Sequence, residues 1–174
     1  MSTTTTEPRI YVACLASYNA GRLVGEWIDA GDADSMREDV AAMLAASPIP
    51  NAEEFAIHDH EGFGPVELGE YESLEKVAEL AAGINEHGEA FAAFAANEGL
   101  EYLDAERFED AYCGEYGSLA DYAANLAEEL GQLEEIPEMF RYRIDWDGIG
   151  HDLDCEGYWT AAAGLGAVHV FRPV

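Results

Sequence analysis

The sequence predicts an α+β fold in which two β-rich ends flank a helical centre. Apolar residues alternate with other residues near both ends, as in half-buried strands, whereas in the middle they recur at helical spacing. Leu, Ile, Val and Phe number 37 in the 174 residues, and alanine numbers 29. This is enough apolar surface for a folded protein, but alanine buries little area, so we expect a light core.

The N-terminal segment predicts a small antiparallel sheet carrying one helix. Residues 9–15 alternate in the manner of a strand, and residues 23–28 form a second β-compatible run, so the two predict a hairpin. Between this run and a third predicted strand at residues 54–58, Ser35 and Glu38 have the spacing of a capping box, which predicts a helix start.

The middle of the chain predicts helices at residues 74–84, 89–97 and 105–112, after a stretch rich in Gly, Pro and Glu. A further helix is predicted to begin at a Ser118 cap and to end at Gly131. Its predicted apolar stripe comprises Leu119, Tyr122, Ala123, Leu126 and Leu130.

The C-terminal end predicts three more strands, at residues 140–146, 158–161 and 167–171, with Gly-rich connections. The Thr-rich start, residues 2–6, predicts a frayed terminus. The sequence has no secretory signal and no apolar run long enough to span a membrane, so we expect a cytoplasmic protein.

The most unusual feature is charge. The chain has 36 acidic and 8 basic residues, a formal net charge of −28. Binding to nucleic acid or to an anionic membrane would add repulsion, so both are excluded as partners and a basic partner is favoured. The net charge is −8 over residues 1–62, −18 over residues 63–138 and −2 over residues 139–174.

Acidic residues in the centre recur at spacings of three and four, which would place them on common helix faces. We predict three such rows: Glu72, Glu75 and Glu79; Glu98, Glu101 and Asp104; and Glu106, Glu109 and Asp110. Like charges at these spacings destabilise a helix by roughly 0.2–0.5 kcal/mol per pair, so stability alone does not explain the pattern. The net charge equals that of about 48 Å of duplex DNA. We therefore predict phosphate-mimicking carboxylates at Glu67, Glu70, Glu72, Glu75, Glu79, Glu98, Glu101, Asp104, Glu106, Glu109, Asp110, Glu115, Asp121, Glu128 and Glu129.

Charge alone leaves two alternatives open. The acidic surface is also typical of a protein adapted to solubility in a salt-rich cytoplasm. It also suits an acidic chaperone or decoy for some other basic DNA-binding protein, such as a nucleoid protein or a repressor.

Catalytic and metal sites are not predicted. The segments 58–61 and 151–154 contain His and Asp, but we interpret the first as the end of the third strand and the second as a polar turn. The chain has no GxSxG, HExxH or phosphate-binding loop, and Cys14, Cys113 and Cys155 are far apart. We expect no enzyme activity, no metal and no cofactor.

Several stretches resemble the ArdA family of antirestriction proteins. The N-terminal IYVACLASYNAGRLVGEWIDA and EFAIHDHEG, residues 10–30 and 54–62, are similar to family signatures. Further similar stretches are AYCGEYGSLADYAANLAEELG, residues 111–131, and GIGHDLDCEG, residues 148–157. The matches run almost from end to end of the chain.

The segment QLEEIPEMFRYRID, residues 132–145, resembles the fourteen-residue antirestriction motif of that family. Arg141 and Arg143 stand where the family pattern is apolar. The motif residues that match the family pattern or could form a dimer interface are Leu133, Glu135, Ile136, Pro137, Glu138, Met139, Phe140 and Asp145. Its apolar residues, Leu133, Ile136, Met139 and Phe140, fit either a dimer interface, which we favour, or the core of the third domain.

The resemblance implies an elongated homodimer encoded by mobile elements that mimics bent B-DNA. Its implied partners are type I restriction-modification complexes, whose specificity and methyltransferase subunits form the DNA-binding groove. We divide the chain into three expected domains: residues 1–62, a small sheet with one helix; residues 63–104, a helical centre; and residues 105–174, an α+β domain containing the motif.

Overall fold

The computed structural model describes residues 6–174. Of the predicted frayed start, residues 2–5 lie outside the described residues. Contacts divide the chain into an N-terminal unit that ends at Leu103 and a C-terminal unit, Asp104–Val174. The mixed α+β class is confirmed, whereas the division into three domains remains a prediction.

The N-terminal unit begins with the elements β1 (Arg9–Cys14), α1 (Leu15–Asn19), β2 (Gly25–Asp29), α2 (Ala33–Ala45) and β3 (Phe55–Glu61). The strands form an antiparallel sheet in the order β2-β1-β3. All three predicted strands are present. The short helix α1, which the sequence pattern did not predict, lies in the connection of the predicted hairpin.

Helix α2 starts at a different cap from the predicted one. Asp32, rather than Ser35, is the N-cap, and its carboxylate accepts hydrogen bonds from the backbone N–H groups of Asp34 and Ser35 at 3.1 and 3.0 Å. Asp is as good a cap as Ser, and Asp32 is the residue that remains extended before the first turn. The hydrogen bonds that the Asp32 carboxylate accepts from the backbone N–H and the hydroxyl of Ser35 hold its pKa below the usual range.

The rest of the N-terminal unit is helical, with α3 (Leu74–His87), α4 (Glu89–Glu98) and a 3₁₀ turn at Leu100–Tyr102. The first two agree with predicted helices. At Gly83, a Cβ atom would lie 2.1 Å from the ring of Phe91, so only glycine allows this close approach of α3 and α4.

The C-terminal unit starts with α5 (Ala105–Ala111), β4 (Tyr112–Tyr116) and α6 (Leu119–Glu129). The predicted helix at residues 105–112 therefore stops one residue early, and Tyr112 opens a strand that was not predicted. Ser118 caps α6 as predicted, and Gly131 adopts a left-handed φ of 69° beyond its end.

The motif segment contains a 3₁₀ turn at Gln132–Glu135 and the short helix α7 (Glu138–Arg141), and α8 (Trp146–Cys155) follows. The predicted strand at residues 140–146 is therefore wrong, as is the polar turn at residues 151–154, which lies within α8. Asp145 caps α8 by accepting a 2.9 Å hydrogen bond from the backbone N–H of Gly148, and this cap starts a helix where the alternating pattern indicated a strand.

The C-terminal sheet is completed by β5 (Trp159–Gly164) and β6 (Ala167–Phe171), in the antiparallel order β4-β6-β5. Its core is built from aromatic rings. Phe171 is fully buried, and its ring stacks on that of Trp159 with 4.0 Å between centroids. The stack fixes β5 against β6.

Candidate functional site

The fifteen predicted phosphate mimics are all accessible. Twelve of these carboxylate residues are exposed, and Glu72, Glu79 and Glu98 are half-buried. The residues differ, however, in their local partners.

Two carboxylates of α3 have basic partners within the N-terminal unit. Glu75 forms an ion pair with Arg37 of α2, and Glu79 with Lys76 at 2.9 Å. Glu72, which was predicted to continue this row, lies before the helix, because Ser73 is its N-cap. The predicted row is therefore shorter than expected and is partly neutralised.

The second predicted row, Glu98, Glu101 and Asp104, does not lie along one helix. Helix α4 ends at Glu98 because Gly99 has a φ of 87°, and Glu101 belongs to the 3₁₀ turn. Asp104 is the N-cap of α5, where its carboxylate accepts a 2.9 Å hydrogen bond from the backbone N–H of Glu106. Helical spacing in the sequence was misleading here because a glycine interrupts the helix.

The third row does lie on one helix, α5, which carries the exposed residues Glu106, Glu109 and Asp110. Four further exposed carboxylates of the C-terminal unit were predicted. Asp121 accepts a 3.1 Å hydrogen bond from the hydroxyl of Ser118. Within residues 6–174, no cationic side chain lies within 4 Å of the carboxylates of Glu106, Glu109, Asp110, Glu115, Glu128 or Glu129.

This acidic environment affects neighbouring phenols. Burial raises the pKa of Tyr112, and the charge of Glu115 raises it further. Burial likewise raises the pKa of Tyr116, with a contribution from Glu129. Negative charge disfavours the ionised phenol, so both side chains remain neutral around pH 7.

The motif segment exposes apolar side chains. Met139 is 74% exposed and Phe140 54%, whereas Leu133 and Ile136 are half-buried. Arg141 donates from Nε to the carbonyl of Ile136 at 2.8 Å and from Nη2 to the carbonyl of Glu134 at 3.1 Å. Arg141 thus fixes the motif backbone.

Residues 10–165 match the family described as antirestriction protein (ArdA). The chain belongs to the ArdA family. A comparison with curated proteins gives no match. ArdA membership implies an antirestriction function, exerted through interaction with restriction-modification enzymes, and ArdA is not a known enzyme family.

Other chemistry-bearing side chains of this ArdA protein do not assemble into a site. In the described part of the chain, no three metal-ligating side chains come together and the three cysteines are free. His151 and Cys155 lie one turn apart on α8, with 3.7 Å between Nε2 and Sγ, at an exposed position. No helix within residues 6–174 is long and apolar enough to cross a membrane.

Sequence reasoning missed two kinds of residue at this surface. Arg37 acts as an internal counterion that no local spacing indicates, whereas Lys76 was expected to offset the acidic row and lies three residues from Glu79 on one helix. Leu130 was assigned to the apolar stripe of α6, yet it is 62% exposed, and Tyr142 is 86% exposed. Both are apolar or aromatic side chains that the C-terminal unit does not bury.

Proposed function

We propose that this protein inhibits type I restriction-modification enzymes by imitating the shape and charge of B-DNA. It would occupy the basic groove formed by the specificity and methyltransferase subunits and block both cleavage and modification. The observation that carries the proposal is the set of exposed, unpaired carboxylates on α5, β4 and α6. A folded protein gains nothing in stability from such a set, since the carboxylates repel one another.

A lysine- and arginine-lined groove gains affinity for DNA by releasing condensed counterions. A folded polyanion can use the same electrostatics without base-specific contacts, because phosphate contacts carry no sequence information. The net charge of −28 supplies the long-range attraction. Inhibition should therefore weaken steeply as salt is added.

The proposed form is a homodimer. Met139 and Phe140 lie in the motif and are largely exposed in the isolated chain, which is unfavourable for apolar side chains unless a partner covers them. A second copy covering this patch would double the acidic surface presented to the enzyme.

The decisive test is competition with purified components. A type I enzyme is given unmodified DNA, and both cleavage and methylation are measured with increasing amounts of the protein at several salt concentrations. We expect both activities to fall, with a salt dependence similar to that of a short competitor duplex. The proposal is abandoned if the enzyme is unaffected while the protein instead binds a basic nucleoid protein, which would support the acidic chaperone.

A further inference from the structure

The C-terminal unit contains an open cleft of about 560 Å³ beside the motif. It lies between α6, the 3₁₀ turn, α7 and the start of α8. This volume falls in the range of ligand-binding clefts, roughly 300–1,000 Å³. The side chains that determine its chemistry are those of Asn125, Glu128, Glu134, Arg141, Tyr142 and Trp146.

The cleft combines aromatic and acidic side chains. Tyr142 is 86% exposed and Trp146 half-buried, so both rings can be reached by an entering group. Glu128 and Glu134 are exposed and form no ion pair among the described residues. Arg141 adds one positive charge to the cleft, but its Nε and Nη2 already donate hydrogen bonds to the backbone carbonyls of Ile136 and Glu134.

We infer that this cleft receives an arginine side chain of the restriction-modification enzyme. A planar guanidinium stacks on indole and phenol rings and also pairs with carboxylates, which matches both components of the cleft. An anion would be repelled by the two glutamates, and a purely apolar group would leave their charges without a partner. The inference rests on the proposed function and adds one local contact to the distributed charge.

Glu128 is also one of the predicted phosphate mimics, but the cleft as a whole differs from an open row of carboxylates in what it recognises. A row of exposed carboxylates attracts any cation, and each pair contributes only roughly 0–1 kcal/mol. An aromatic cleft distinguishes arginine from a neutral side chain of the same shape.

The first experiment tests the cleft without any enzyme. The full-length protein is titrated with N-acetylarginine methylamide, and the indole N–H resonance of Trp146 is followed by NMR. The probe should shift this resonance with a dissociation constant on the order of 10 mM. The neutral isostere N-acetylcitrulline methylamide should leave it unchanged.

Two double variants give a matched comparison. Glu128→Gln/Glu134→Gln removes both carboxylates of the cleft, whereas Glu115→Gln/Glu129→Gln removes two exposed carboxylates of the same unit outside it. Only the first should abolish the response to the arginine probe. Equal shifts with the citrulline probe, an unchanged response in the first variant, or no shift at about 0.1 M probe would each overturn the inference.

The second experiment measures affinity for a type I enzyme. The affinity of the cleft variant, Glu128→Gln/Glu134→Gln, for the enzyme should fall roughly tenfold. The affinity of the matched variant, Glu115→Gln/Glu129→Gln, should fall about threefold. Equal losses overturn the inference and leave the proposed function standing. If the wild type does not bind the enzyme while the arginine probe still binds the cleft, the proposed function fails separately. If the cleft variant becomes monomeric, the occupant is a second copy and the inference is wrong.

Discussion

The N-terminal and C-terminal units carry a similar excess of carboxylates but differ in how these are balanced. The N-terminal unit has 20 acidic and 4 basic residues, and the C-terminal unit 16 and 4. In the first, Arg37 and Lys76 contact carboxylates of α3. In the second, the carboxylates of α5 and those at the end of α6 have no cationic partner within residues 104–174.

The two units also differ in their cores. Among the described residues, 24 apolar residues are buried up to Leu103 and only six from Asp104 onward. The C-terminal unit, which buries fewer apolar residues, is therefore also the unit that retains repulsion between unpaired carboxylates. This is the opposite of what selection for stability alone would produce, and it agrees with the proposed role of the C-terminal acidic surface in binding an enzyme.

The largest expected effect tests the difference between the cores. Phe171→Ala removes a fully buried ring from the stack with Trp159 and should lower the free energy of unfolding by about 3–5 kcal/mol. Because few other buried residues support this unit, hydrogen exchange should show protection lost throughout the C-terminal unit.

The control for this prediction is Phe94→Ala, which removes an equally buried ring from the N-terminal unit. We expect its loss of protection to remain within that unit. If both variants unfold the whole chain together, the units are not independent in stability, and their different cores do not give them separate stabilities.

The next effect concerns binding. Glu106→Gln/Glu109→Gln/Glu115→Gln/Glu129→Gln removes four exposed carboxylates that have no partner in the C-terminal unit. Affinity for a type I enzyme should fall by roughly 1.4 kcal/mol, or about tenfold, and its salt dependence should become shallower. Each single change should have a small effect. A single change that abolished inhibition would contradict the distributed-charge hypothesis.

Two of the elements that the sequence predicted correctly have a clearly buried face. The helix at residues 74–84 and the strand at 167–171 have apolar residues with a clear period, and the structure buries them in α3 and β6. Family membership could also be predicted from the sequence, because the similar stretches lie between residues 10 and 157, and the family match covers residues 10–165.

The failures have a common physical cause. Residues 140–146 alternate like a strand, but Phe140 and Tyr142 are exposed. The alternation therefore does not give one buried face, and these residues form no strand. At the acidic surface, the pairing of Arg37 with Glu75 joins residues 38 positions apart. No local spacing can reveal which carboxylates such a distant residue will neutralise.

A third prediction concerns the exposed motif. Met139→Lys places a charge in the patch proposed to join two copies, and the dimer should dissociate at least about tenfold more readily. Because Met139 is 74% exposed, the fold of each chain should survive. Analytical ultracentrifugation and circular dichroism measure the two properties separately.

The matched control is Leu23→Lys, which changes a 68% exposed residue of the N-terminal unit. It should leave the oligomeric state unchanged. A monomeric Leu23→Lys protein together with a dimeric Met139→Lys protein would place the interface in the other unit.

The smallest effect tests whether the neutralised α3 surface meets the enzyme at all. Arg37→Gln releases Glu75 from its ion pair, which should lower the free energy of unfolding by roughly 0.2–1 kcal/mol. If α3 faces the basic groove, the released carboxylate should raise affinity about twofold at about 0.1 M salt.

Arg22→Gln is the control, because it changes the net charge equally but the Arg22 side chain has no carboxylate partner among the described residues. A larger gain for Arg37→Gln means that the local field at α3 contributes to binding. Equal gains mean that only net charge matters. If neither variant gains affinity, the α3 carboxylates stabilise the N-terminal unit through their ion pairs, and binding depends on the C-terminal unit alone.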